Sequence, residues 1–104
     1  MGEEQSKILD IARRFIETLA KSGIRVSESY LYGSFAKGMS LPDSDIDIAV
    51  ISADFTGDSM ADWLTLARAR RQIDTRIEAV PFRPEKFHED NPLVWEIKQT
   101  GIKL

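Results

Sequence analysis

The sequence contains no cysteine and only one histidine, His88. The absence of thiols excludes disulfide scaffolding, thiolate catalysis and zinc sites that use Cys ligands. One histidine is too few for a His-based metal centre, and the polar stretch around His88 predicts a surface or capping side chain. Carboxylates, hydroxyls, basic side chains and backbone groups are left to carry the chemistry.

An excess of positive charge is also missing, since the formal net charge is −3. This argues against a broad basic face for nucleic acid, because such binding neutralises many phosphates. No apolar run approaches the roughly 20 residues that cross a bilayer. The opening Met1 to Ser6 lacks the basic and apolar regions of a signal peptide. We therefore expect a cytoplasmic protein without membrane contact or direct nucleic-acid binding.

The composition is that of a folded globular protein. Apolar residues make up 42% of the chain and charged residues 30%, with only 6 Gly and 4 Pro. A length of 104 residues suits one core, so we predict a single domain over residues 1–104. That length leaves no separate substrate domain, and a partner or a compact substrate must supply the rest.

Hydrophobic periodicity predicts an alternation of helices and strands. Apolar residues from Ile8 to Leu19 recur at helical spacing, and Gly23 marks the end of this helix. The predicted strands are 28–33, 46–51 and 75–80, the second buried on both faces and the third bounded by Pro81. Gly33 to Pro42 is predicted as a turn region, and shorter helices follow Met60 and Asn91-Pro92.

The two tryptophans receive different interpretations. Trp63 falls with Met60 and Leu64 on the apolar stripe of the second helix, which predicts a core position. Trp95 lies off the apolar set of the last helix, so the pattern is equally compatible with burial and with exposure at an interface. The arginines near the C-terminal end of the second helix interact favourably with the helix dipole, and this structural role is sufficient to explain their presence.

The informative segment is Gly33-Ser34-Phe35-Ala36-Lys37-Gly38, followed by Ser44-Asp45-Ile46-Asp47. Each half alone is common as a turn or as a solvated acidic pair. Together they form a physical unit, because a strand ending in Gly33-Ser34 lets backbone N–H groups approach a phosphate at a helix start. The Ser34 hydroxyl adds another donor.

The two aspartates fit a metal site on the following strand. The period-two geometry of a strand places Asp45 and Asp47 on one face, about 6.6 Å apart at the backbone, with Ile46, Ile48 and Val50 facing the core. Like charges on an apolar strand are costly unless cations compensate them. Mg²⁺ binds carboxylates and phosphates together, and two ions about 4 Å apart can stabilise both oxygens of an in-line displacement.

Two other metal and phosphate motifs fail on spacing. A P-loop needs its lysine after the second glycine, but Lys37 precedes Gly38 and no Lys-Ser or Lys-Thr follows. An EF-hand loop that starts at Asp43 would need glycine at its sixth position, where Ile48 stands.

The combined pattern Gly-Ser-x-x-x-Gly and Ser-Asp-x-Asp resembles the nucleotidyltransferase superfamily that includes DNA polymerase beta and kanamycin nucleotidyltransferase, specifically its minimal nucleotidyltransferase (MNT) branch. The resemblance covers Tyr30 to about Val80. It implies an α/β (α+β) polymerase-beta-like fold, a small mixed sheet flanked by helices that pack chiefly on one side. It also implies that Gly33 and Ser34 hold the triphosphate, that Asp45 and Asp47 bind metal, and that Lys37 touches phosphate.

The resemblance further implies a third carboxylate on a later strand, for which Glu78 is the candidate; it would complete the catalytic and metal-binding set with Asp45 and Asp47. Glu78 lies in the middle of the predicted third strand, whereas Asp74, in phase with it, lies at the strand's start. The family usually has aspartate here, so the longer glutamate departs from the pattern. Pairing of Glu78 with Arg76 or with an arginine of the second helix is the competing structural interpretation.

Three functions follow as hypotheses. The first is transfer of AMP from ATP to a hydroxyl of a helical HEPN-type partner, with two Mg²⁺ ions and Glu78 as the base, by an antitoxin of a toxin–antitoxin pair. The second is modification of a small molecule, as in aminoglycoside nucleotidyltransferases. The third is a catalytically inactive module that binds nucleotide and partner.

Overall fold

The computed structural model describes residues 3–38 and 44–104. Its elements, in chain order, are α1 (Glu3–Lys21), β1 (Glu28–Tyr32), α2 (Ser34–Lys37), β2 (Ile46–Ile51), α3 (Ser59–Ile73), β3 (Ile77–Phe82), a 3-10 turn (Pro84–Lys86), α4 (Pro92–Thr100) and β4 (Ile102–Lys103). Within the described ranges no helix is both long and apolar enough to cross a membrane.

The four strands form one mixed sheet in the order β3-β2-β1-β4. β1 runs antiparallel to both β2 and β4, whereas β2 and β3 are parallel and are connected through α3. β2 is therefore central, and five of its six residues are buried, because both of its faces are covered. The predicted small mixed sheet with flanking helices is confirmed.

Helices α1 and α3 cover one face of this sheet. The apolar stripe of α1, including Phe15 and Leu19, packs on Ile46, Ile48 and Val50 of β2. Leu66 and Ala69 of α3 complete the same core. The predicted inward orientation of the three β2 residues is confirmed.

Helix α4 packs on the opposite face, over a smaller core. Val94 and Ile97 are fully buried there with Ala49 and Ile51 of β2. Phe87 lies at the edge of this cluster, 5.2 Å from the ring of Phe82 and 5.7 Å from that of Tyr30. The two longest helices lie on one face, as expected, but α4 gives the sheet a second covered face.

Two strand predictions need correction. The third strand begins at Ile77, two residues later than predicted, and continues through Pro81 to Phe82 instead of stopping before the proline. Proline is tolerated because β3 is an edge strand, where a missing N–H costs no ladder hydrogen bond. The short strand β4 was not predicted, because two residues carry too little pattern. The part of the predicted turn at 39–42 lies outside the described residues.

The orientation of α3 also differs from the prediction. Trp63 is 53% exposed and is not a core residue. The buried positions of α3 include Asp62, whose carboxylate accepts hydrogen bonds from the backbone of Thr56 and Gly57 and from the Thr56 hydroxyl. Fixing Asp62 toward this loop rotates the neighbouring Trp63 to the outside. His88 is exposed as predicted, and Trp95 is exposed as well.

Candidate active site

Three polar side chains form a row across three neighbouring strands, at one end of the sheet. Tyr32, the last residue of β1, pairs in register with Asp47 of β2, and Asp47 pairs in register with Glu78 of β3. Neighbouring strands are about 4.8 Å apart, so adjacent members of the row lie on the same face. Asp45 is exposed one residue before β2 begins. The structure thus places Asp45 and Glu78 each near Asp47.

The row carries unfavourable negative charge. Partial burial, reinforced by Asp45 and then by Glu78 and Glu96, raises the pKa of Asp47 from 3.8 to about 6. Burial and the same kind of repulsion, led by Asp47, raise the pKa of Tyr32 to about 12. A cation at this place would relieve the repulsion between the carboxylates.

The turn after β1 is shaped around Asp47. Gly33 has φ of 74° and ψ of −151°, a conformation that is open essentially to glycine alone. A Cβ atom on Gly33 would collide with Oδ2 of Asp47. Two separate reasons therefore require glycine at this position: the backbone angles that the turn adopts, and the space beside it that the Asp47 carboxylate occupies.

Helix α2 begins directly at Ser34 and is a single turn of four residues. Its first N–H groups have no acceptor inside the helix, and its N-cap residue is Gly33, which has no side chain to cap them. A helix of one turn has only a small dipole, so the dipole of α2 contributes little to binding an anion at this place. Gln5 of α1 fixes this turn by donating from Nε2 to the carbonyl oxygen of Phe35, at 3.0 Å.

Lys37, at the end of α2, reaches across to α4. Its Nζ lies 2.9 Å from Oε1 of Glu96, and both side chains are partly exposed. Glu96 also contributes to the raised pKa values of Asp47 and Tyr32. The ion pair therefore borders the carboxylate row and occupies the lysine that was predicted to contact phosphate.

Asp74 takes a different role from Glu78. Its carboxylate is paired with Arg76 at 2.8 Å, and this hydrogen-bonded pairing lowers the pKa of Asp74. Asp74 forms the C-cap of α3 and precedes β3, outside the row. Among the described residues, Glu78 has no ion pair or side-chain hydrogen bond. The geometry favours Glu78 as the third carboxylate.

The donor set fits a hard divalent cation that keeps other ligands. Among residues 3–38 and 44–104, no three Asp, Glu or His side chains converge closely enough to enclose a metal ion by themselves. Mg²⁺ does not need such a cage, because it usually binds one or two carboxylates together with waters and substrate phosphates. Asp45 and Asp47 could supply those carboxylates, with Glu78 next to them.

Sequence reasoning missed two members of this site. Tyr32 immediately precedes Gly33, and its place opposite Asp47 follows from the hairpin register that joins β1 to β2. Glu96 gave no usable signal, because only the tertiary packing of α4 brings it to Lys37.

A mixed sheet with a Gly-Ser turn beside paired strand carboxylates defines the polymerase-beta-like class of fold. The sequence matches the family model described as "Nucleotidyltransferase domain" over residues 9–100. The chain belongs to this nucleotidyltransferase family.

Relatives with known names are similar to parts of this chain. Protein adenylyltransferase MntA of Shewanella oneidensis is 39% identical over 54 residues, which cover 52% of this chain and 38% of that protein. The chain thus matches less than half the length of this relative. A crystal structure of a toxin–antitoxin with AMP-PNP aligns with a TM-score of 0.62 and 26% identity, covering 86% of this chain and 68% of that one. A mutant of the toxin–antitoxin MntA-HpeT aligns with a TM-score of 0.66 and 28% identity, covering 89% and 70%.

The Lys37–Glu96 pair yields a first prediction. In Glu96→Gln, Lys37 loses its charged partner and the site loses one negative charge. MgATP should therefore bind about three- to fivefold more tightly, a change in binding free energy of the size that an exposed ion pair contributes. Calorimetric titration measures the change. Glu89→Gln is the matched control, since the ion-pair partner of Glu89 is Lys98, at 3.9 Å. Weaker binding of MgATP by Glu96→Gln would contradict this account and would indicate that Glu96 helps to hold the metal.

Proposed function

We propose that the chain is a single metal-dependent nucleotidyltransferase domain that transfers AMP from ATP to a hydroxyl group of a partner protein. The observation that carries the proposal is the row of Asp47 and Glu78, with Asp45 beside it, directly against the Gly33-Ser34 turn. Family membership and the resemblance to a protein adenylyltransferase support the same reaction.

In this proposal, the Gly33-Ser34 turn binds the triphosphate through backbone N–H groups and the Ser34 hydroxyl. Lys37 exchanges Glu96 for a phosphate oxygen. Asp45 and Asp47 hold Mg²⁺, and the number of ions is two. Bound there, magnesium would neutralise phosphate charge and stabilise the attacking and leaving oxygens.

The remaining carboxylate, Glu78, acts on the acceptor. We propose that it holds the acceptor hydroxyl and takes its proton as the oxygen attacks the α-phosphorus, with pyrophosphate leaving. The exposure of Glu78 on an edge strand suits this role, because a protein acceptor must reach it from outside. The extra methylene of glutamate lets the carboxylate extend beyond the Asp45 and Asp47 pair.

We propose further that the protein is the antitoxin of a cytoplasmic toxin–antitoxin pair and that its partner is a helical HEPN-type protein. The structural resemblance to toxin–antitoxin proteins, one of them named MntA-HpeT, supports this assignment.

The test is transfer of labelled AMP from ATP with Mg²⁺ to the product of the neighbouring gene or to an aminoglycoside. Label on the protein that disappears in an Asp45→Ala, Asp47→Ala variant is the expected result. Label only on the aminoglycoside would replace the proposed acceptor by a small molecule. Partner binding without any label would leave an inactive binding module, the third hypothesis.

A further inference from the structure

Helix α3 presents an apolar surface to solvent. Its N-terminal half exposes Met60, Trp63 and Leu64, at 66%, 53% and 38% respectively. The helix uses its other side for the core, where Leu66 and Ala69 are buried. Scattered exposed apolar residues are ordinary, but three neighbours on one helix that include a half-exposed tryptophan are typical of an interaction surface.

The C-terminal half of the same face is basic. Arg68 follows Leu64 by four residues and Arg71 follows Arg68 by three, so all three lie along one side of the helix. Neither arginine has an ion pair within residues 3–38 and 44–104, and both are exposed. Asp62, the acidic residue of α3, is buried against Thr56. The face therefore runs from apolar to positively charged; we call it the α3 face.

The α3 face lies beside the candidate active site. Trp63 and Arg70 line a shallow cleft between α3 and β3 together with Glu78, the proposed acceptor-binding carboxylate. The Glu78 side chain points to the face of the sheet opposite α3, so the α3 face and the carboxylate row meet only at the β3 edge. A protein held on the α3 face would reach Glu78 around this edge.

We infer that the α3 face docks an amphipathic helix of the partner protein, with apolar side chains against Met60, Trp63 and Leu64 and acidic side chains opposite Arg68 and Arg71. The inference rests on the proposed function for the location of the acceptor. Charge complementarity argues for an acidic partner segment, and the length of the stripe along one helix suits a second helix packed against it.

Two other occupants fit less well. Addition of a strand at the β3 edge is obstructed, because Arg70 already donates to the carbonyl oxygen of Ile77 and Pro81 has no N–H. A single-stranded nucleic acid would use aromatic stacking and positive charge, but Met60 and Leu64 offer no ring for stacking and the net charge is −3.

The test compares matched variants in binding to the product of the neighbouring gene. Trp63→Ser should weaken binding about tenfold or more, as loss of a central aromatic anchor does, and Arg68→Glu should weaken it by a similar factor. Trp95→Ser is the comparison variant, because Trp95 of α4 is equally exposed at 54% but lies on the opposite face of the sheet, the face that carries the carboxylate row. It should change binding less than twofold.

MgATP affinity, measured on the same variants, separates this inference from the proposed function. It should be unchanged in all three variants, which also shows that they fold. The inference is overturned by unchanged partner binding in Trp63→Ser, by equal loss in Trp95→Ser, or by no binding of wild type. It is also overturned if Trp63→Ser abolishes only self-association in sedimentation or only binding of a labelled single-stranded RNA. Loss of binding in Trp63→Ser without AMP transfer by wild type would retain the docking surface and reject the enzymatic proposal.

Discussion

Replacement of Asp47 by Asn should lower AMP transfer about a hundredfold or more and should also stabilise the folded protein at neutral pH. The loss of rate is expected because the variant removes a charged group from the site that binds the reacting phosphates. The gain in stability is expected because the ionised Asp47 is partly buried among other carboxylates, which raises its pKa to about 6.

The sign follows from proton binding. The folded state holds the Asp47 proton more tightly than the unfolded state, whose pKa is near 3.8, so folding loses stability as pH rises from 3.8 to about 6. Above about pH 6 the ionised Asp47 carboxylate destabilises the folded state by its full amount, and Asp47→Asn removes this destabilisation. Because Asp47 is only partly buried, solvent screening reduces the gain to about 1 kcal/mol.

Urea unfolding at pH 4 and pH 7.5, without metal, measures this prediction. The stability advantage of Asp47→Asn should be present at pH 7.5 and largely absent at pH 4. Asp10→Asn on the exposed side of α1 is the control and should show no such advantage. Equal effects of Asp47→Asn at both pH values would contradict the electrostatic account.

Gly33→Ala should be the most damaging single-methyl change at the site. An alanine at φ of 74° is strained, and its Cβ collides with the carboxylate of Asp47. The two costs together should destabilise the fold by about 3 kcal/mol. The displaced carboxylate and the altered turn should also lower MgATP affinity about tenfold or more.

Gly23→Ala separates the two costs. Gly23 has φ of 96°, but a Cβ there meets no atom within 4 Å. It should therefore lose only about 1 kcal/mol, from backbone strain alone, and should bind MgATP normally. Combining Gly33→Ala with Asp47→Ala should cost less than the sum of the single changes, because the collision is gone. Strict additivity would show that Gly33 is not shaped around Asp47.

Much of this architecture could be predicted because the local sequence pattern of an element matches its burial in the folded protein. β2 is apolar at nearly every position because both of its faces are covered, and such a strand is recognisable from sequence. The Gly33-Ser34 turn and the pair Asp45 and Asp47 are recognisable because each is a short local motif. Their approach to each other depends on the antiparallel register of β1 and β2.

The features that could not be predicted depend on how distant elements pack. The exposure of Trp63 follows from Asp62 binding a loop, which a helical periodicity cannot show. The approach of Glu96 to Lys37 follows from the position of α4 across the sheet. The preference for Glu78 over Asp74 required the register of β3 against β2 and the pairing of Asp74 with Arg76.

The most direct test of the central claim is a crystal structure of this chain with a non-hydrolysable ATP analogue and Mn²⁺, a substitute for Mg²⁺ that is visible by anomalous scattering. The account predicts triphosphate against Gly33 and Ser34 and an anomalous peak between those phosphates and the carboxylates of Asp45 and Asp47, with Glu78 alongside. A nucleotide bound elsewhere, or bound at the turn with Mn²⁺ away from both aspartates, would contradict it.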